Sequence, residues 1–206
     1  IERFKAAAQM NATRWTHGRL SLDGGSGGSV QRYTPSTRAF EPVAESTLEG
    51  PFLYLNVMVT DRLESSFVPA PLSSAFSEGK LPAGAIDVVT IRPRRDPSVA
   101  AVPDEKEAGI HFATTRLGDI TAGMYSGGKH IDMTYTDGEP VVEYFRCQGY
   151  TFEPGAGEGE DGKAKLVCTD GFISTAARTR VTRWTDRQET GCKQVRQGVA
   201  APLVWL

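Results

Sequence analysis

The stretch Leu81-Pro-Ala-Gly-Ala-Ile-Asp-Val-Val-Thr-Ile91 restricts the fold more than any other. Pro82 fixes φ and Gly84 permits a positive φ, so the chain can reverse sharply before Ile86, Val88 and Val89 enter a sheet. Upstream, Pro51–Thr60 is a longer apolar run with the same β preference, and the loop between the two is irregular and proline-rich from Phe67 to Lys80. Further strands follow from alternation: Ala12–Leu22 up to the turn signal Asp23-Gly24, then Val141–Arg146, Tyr150–Glu153 and Arg178–Trp184. Lys165–Thr175 reads as strand, Asp170-Gly171 turn, strand.

Helical signals are fewer. Acidic residues after Pro103 open a helix whose apolar positions Ile110, Ala113, Leu117, Ile120 and Met124 recur at three and four residues, and Gly127-Gly128 stops it near Tyr125. Ile1–Met10 has a short helix's spacing, and a start without Met, in mid-pattern, reads as a fragment of a longer protein. Residues 24–50 read as a flexible linker or loop: Gly24–Ser29 spells GGSGGS, the form of a natural linker or of an engineered loop replacement, and Val30–Gly50 is polar with Pro35 and Pro42. Residues 155–162 form an acidic, glycine-rich hairpin loop or disordered tip, and 185–206 a tail.

The expected fold is therefore mainly β (α+β), an antiparallel β-sandwich with one or two crossover helices, in one domain over 1–206 with its core at about 12–184. A length of 206 residues with 39% hydrophobic residues buries one adequate core, and 22 Gly with 12 Pro argue against a helical bundle. A formal net charge of −2 gives no reason to expect nucleic acid, and no apolar run approaches the roughly 20 residues that span a bilayer. Cys147, Cys168 and Cys192 are widely spaced and read as reduced thiols of a cytoplasmic protein, with no metal site. His17, His111 and His130 stand without a Ser or Cys partner at hydrolase spacing. Arg92-Pro-Arg-Arg95 is a basic loop, either a solvated crossover or a contact for anionic phospholipid headgroups, the latter making the protein peripheral to a membrane.

Four short motifs in order resemble the C-terminal domain of the diacylglycerol kinase and sphingosine kinase superfamily of lipid kinases. They are Ala83-Gly-Ala-Ile-Asp-Val88, then Gly128-Lys129-His130 after the helix, then Val142-Glu-Tyr-Phe-Arg-Cys-Gln-Gly-Tyr-Thr-Phe-Glu-Pro154, and last Val167-Cys-Thr-Asp-Gly-Phe172. The resemblance covers about Ala12–Trp184 and is nearest to the sphingosine and ceramide kinase branch. It implies a two-domain enzyme whose N-terminal α/β domain holds ATP with Mg and whose C-terminal β-sandwich holds the lipid, a sphingoid base, ceramide or diacylglycerol. The nucleotide loop Gly-Gly-Asp-Gly occurs nowhere in this chain, so it would be the lipid-binding half, inactive alone and partnered by an N-terminal kinase domain.

By the same resemblance, Asp170 and Gly171 contact the nucleotide across the domain gap, or simply form a hairpin turn. The acyl chain is received around Phe52, Tyr54, Phe67 and Phe76. Two departures stand out. Phe172 replaces the family's glutamate, the proposed proton acceptor, so no catalytic residue can be assigned; Ala83 replaces the aspartate of the structural magnesium site, so no metal is expected there. A second Asp137-Gly138-Glu139 reads as a chance mimic in a loop, and Asp87 as a residue that ties the turn rather than doing chemistry. The contrasting reading is a non-catalytic β-sandwich module that binds lipid or protein.

Overall fold

A computed structural model describes residues 13, 15–26, 28–73, 84–155, 166–169, 172–175, 178–182 and 200–201. The central layer is a five-stranded antiparallel sheet ordered β3-β2-β7-β6-β5, formed by β2 (Gln31–Thr34), β3 (Ala39–Pro42), β5 (Tyr54–Met58), β6 (Ile86–Ile91) and β7 (Glu143–Cys147). A four-stranded sheet, β11-β8-β1-β4, covers one face with β1 (Gly18–Asp23), β4 (Thr47–Glu49), β8 (Gly149–Pro154) and β11 (Thr179–Thr182). A smaller antiparallel sheet joins β9 (Leu166–Thr169), β10 (Phe172–Thr175) and β12 (Ala200–Ala201).

The other face of the central sheet lies under a helix. After a short α1 (Pro97–Ala100), α2 runs 21 residues as Glu105–Phe112, a π-helical turn Ala113–Leu117, and Gly118–Tyr125. Asp104 caps it by accepting from Glu107 N, with Glu105 and Glu107 at the positive end of the dipole. Thr114 and Thr115 turn their hydroxyls back onto the carbonyls of Ile110 and His111, competing with the backbone ladder where the π turn widens. Gly127 and Gly128 end the helix in left-handed conformations, φ 71° and 84°.

Helix on one face and sheet on the other explain why β5 and β6 read as mostly apolar runs, broken by Asn56, Asp87 and Thr90. Every residue of both strands is buried, as befits strands covered on both faces. Their side chains alternate between two cores. Leu55, Val57, Ile86, Val88, Phe145 and Cys147 meet Leu20, Leu48, Tyr150 and Phe152 between the sheets. Tyr54, Met58, Val89, Ile91 and Tyr144 meet Phe112, Leu117, Ile120 and Met124 beneath the helix. The mainly β, antiparallel sandwich expected from the sequence is the fold observed.

Residues 24–50 depart from expectation, because they hold β2, β3 and β4 rather than a loop. The strands are short and their apolar positions sparse: Val30, Tyr33 and Leu48 are buried, whereas β3 is an exposed edge on which Pro42 costs no ladder bond. Between β7 and β8 the single residue Gln148 carries the chain from one sheet to the other, and a Cβ on Gly149 would lie 2.7 Å from the Val181 carbonyl. β9 and β10 pair with Thr169 opposite Phe172, as the Asp-Gly turn signal implied, although Asp170 and Gly171 lie outside the described residues. The expected Ile1–Met10 helix, the 155–162 loop beyond Gly155 and the tail from 185, except for β12, also lie outside them.

Candidate functional site

The described residues among those expected to receive an acyl chain face two different cores. Phe52 is sealed between the sheets, its ring 6.0 Å from that of Phe152. Tyr54 faces the helix side, where its hydroxyl accepts from Asn56 Nδ2 at 2.8 Å. A bend at Leu53, which joins Tyr54 in the helix-side core, interrupts the alternation that would have put Phe52 and Tyr54 on one face. Phe67 is half-buried against the same core, and Phe76 lies outside the described residues.

Three of the four large apolar side chains exposed among the described residues, Val59, Leu63 and Tyr125, lie on the β5–β6 connection and the end of α2 that it crosses; the fourth, Ile110, is on the N-terminal half of α2. Ala70 N donates to Asp61 O and Leu63 N to Phe67 O, so residues 61–70 close into an Ω-shaped loop. Its tip is apolar. Leu63 is 52% exposed, Phe67 packs 5.0 Å from the ring of Tyr125, and Tyr125 is itself 52% exposed. Val59, half-exposed, stands at the start of the same connection. Arg62 turns onto Asp61 with two nitrogens, at 2.6 and 3.0 Å, and holds that carboxyl below the usual range.

Beneath the loop the sheet is polar. Asp87 and Arg146 are opposite each other in the β6–β7 register, and both point toward the helix side. Asp87, fully buried, accepts from Arg146 Nε at 2.8 Å, Arg146 Nη2 at 3.0 Å and the Tyr144 hydroxyl at 2.6 Å. Burial pushes the Tyr144 phenol far above its ordinary range, and Asp87 pushes the same way. Arg146 also donates to Leu72 O at 2.9 Å and lies 4.1 Å over the ring of Phe40.

A second contact comes from the 3₁₀ turn Lys129–Asp132. His130 is fully buried and its Nε2 lies 2.9 Å from Pro69 O; a carbonyl only accepts, so Nε2 carries the proton. Burial drives the imidazole pKa down to about 4. Gly128 is required twice over, by its positive φ and by Pro71, whose Cβ would lie 2.5 Å from a side chain there.

The opposite end of the central sheet holds the basic loop. Arg92 donates to both oxygens of Glu143 at 2.7 and 2.8 Å, and Arg95 pairs with Glu139 and Glu143. Arg94 donates to the carbonyls of Val99, Val102 and Pro103, with its guanidinium 5.4 Å from the Trp15 ring centre. The arginines expected to meet phospholipid headgroups are thus engaged inside the protein. Asp137-Gly138-Glu139 is a turn in which Glu139 N bonds Asp137 and Gly138 takes φ 87°. His17 pairs with Glu105 and His111 with Ser98. Among the described residues no group of three or more His, Cys, Asp or Glu could hold a metal ion.

Reasoning from sequence set His130 aside as isolated and saw Arg146 only as a motif position. The available signal was β7's alternation, which puts Tyr144 and Arg146 on one face opposite Asp87. No protein-family model matches the chain, and no curated protein matches it.

Proposed function

We propose that this chain is the lipid-binding part of an ATP-dependent lipid kinase that phosphorylates a hydroxyl of a sphingoid base, ceramide or diacylglycerol. One observation carries the reading. Gly128, His130 and Arg146 contact one connection, Asp87 holds Arg146 beneath it, and these residues belong to three of the four family-like motifs; the connection exposes Leu63 and half-exposes Phe67 beside Tyr125. Motifs distant in sequence that converge on a loop with exposed apolar side chains fit a device for receiving a hydrophobic ligand. The described residues do not themselves fit ATP and Mg: they contain no metal-ligand cluster, and the chain has no Gly-Gly-Asp-Gly. In this reading a separate nucleotide-binding domain supplies both, and the protein is cytoplasmic and peripheral to the membrane that holds its substrate. Among the described residues no helix is long and apolar enough to cross a membrane.

A second reading, a non-catalytic module of the same fold, is favoured by Phe172 and Ala83 in place of the family's carboxylates. Intact-protein mass spectrometry under native conditions, after incubation with sphingosine, ceramide and dioctanoylglycerol, tests lipid binding itself. The expected result is selective retention of one lipid class, weakened by Leu63→Glu. A folded protein that retains none of the three, or that retains lipid equally with Leu63→Glu, overturns the proposed site.

A further inference from the structure

We infer that Arg146 and His130 are positioning residues for the lipid-receiving loop: by holding the carbonyls of Leu72 and Pro69 they fix its base while its exposed tip, residues 62–66, stays free to move. This rests on the lipid-binding reading above and adds to it a division of labour within the loop.

The geometry separates the two parts. Residues 68–72 are held from three elements at once. Val68 N donates to Met124 O at the end of α2, His130 reaches Pro69 O from the 3₁₀ turn, and Arg146 reaches Leu72 O from β7. Residues 62–66 are exposed; the contacts at this end of the loop are the neck bonds of 3.2 Å, the Arg62–Asp61 pair, the Phe67–Tyr125 ring contact and a hydrogen bond between the Glu64 and Tyr125 side chains at the surface. A segment with few buried contacts opens at low free energy, whereas one tied to a buried charge network opens only with the sheet.

The chemistry of the two anchors suits this task. A guanidinium can satisfy Asp87 with two nitrogens and still direct one of them at a backbone carbonyl, which a lysine ammonium does not do in the same plane. Asp87 and the Phe40 ring hold that fork in place. A neutral imidazole with its proton on Nε2 offers a donor without placing a charge in the core. The loop's position is thereby set by Arg146, by the turn that follows α2 and by the loop's own Phe67, Ala70 and Leu72, which pack into the helix-side core.

The test compares the full chain with Arg146→Lys and His130→Gln by hydrogen-exchange mass spectrometry, alongside lipid retention and thermal melting. Arg146→Lys keeps the positive charge beside Asp87, and His130→Gln is a second route should the lysine variant fail to fold. Expected is about ten-fold faster exchange in residues 68–73, with β5 and β6 peptides still protected. Retention of sphingosine from detergent micelles falls by a similar factor. Loop amides unchanged in both variants overturn the clamp. Loosened amides with lipid retention unchanged overturn its role in positioning. A wild-type chain that retains no lipid overturns the lipid reading itself, and the exchange data then report on the clamp alone.

Discussion

The two ends of the central sheet use the same chemistry to opposite effect. At the β6 start, Arg146 pairs with Asp87 and still reaches a loop carbonyl; past the β6 end, Arg92 and Arg95 converge on Glu143. Both pairs are buried, so both carry a desolvation penalty that only good geometry offsets. They differ in what lies above them. Over Glu143 the arginines close on carboxylates and on the carbonyls of 99–103, leaving a sealed turn. Over Asp87 the remaining donor grips a loop whose tip exposes Leu63 beside Tyr125 of α2. A cluster of arginines in sequence can thus be spent wholly inside the protein, whereas a single arginine opposite an aspartate reaches out to hold a surface loop.

The largest effect that could break this comparison is on stability. Arg146→Ala leaves Asp87 buried without its partner and is expected to cost about 3–5 kcal/mol in urea unfolding. Glu143→Ala, which strands two arginines that are partly exposed, is expected to cost less, on the order of 2–3 kcal/mol. A cost at Glu143 above that at Arg146 would reverse the ranking.

Acid sharpens the contrast, because His130 lies only at the loop end. Its folded pKa of about 4 is below the unfolded value near 6.5. Between those values the unfolded chain binds a proton that the folded chain does not, so its contribution is fully present above pH 6.5 and is lost as pH falls toward 4. The expected loss is about 3 kcal/mol. Asp132, whose charge acts on the imidazole in the opposite sense, is the neighbour that would reduce it. His130→Gln should remove this slope from the stability profile; an unchanged slope would show that the imidazole is not the group responsible.

Smaller effects test function rather than stability. Leu63→Glu is expected to change stability by less than about 0.5 kcal/mol while weakening lipid retention. Arg95→Gln should leave sedimentation with anionic vesicles unchanged, since that guanidinium is spent on Glu139 and Glu143. Loss of vesicle binding in Arg95→Gln would return the basic loop to the membrane.

Much of the fold was legible because central strands and an amphipathic helix write strong periods. Tyr54–Met58 and Ile86–Ile91 are buried throughout and mostly apolar because both faces are covered, and α2 shows its stripe from Ile110 to Met124, although Ile110 itself is exposed. β2 to β4 were not legible, since three- and four-residue strands with at most one buried position write no period. The site was legible only in outline. The loop lies between β5 and β6 as the sequence implies, but Phe52 and Tyr54, which the sequence groups as one acyl-chain contact, face different cores, because alternation cannot register a bend at Leu53. His130 and Arg146 act on carbonyls 61 and 74 residues away in the chain, and contacts to backbone leave no mark in the identity of the residue contacted.

The most direct measurement is hydrogen exchange along the full chain with and without sphingosine micelles. The account predicts new protection in residues 59–73 and at the end of α2, 118–125, with none in 92–103. Protection confined to 92–103, or absent from the loop while lipid is bound, would contradict it.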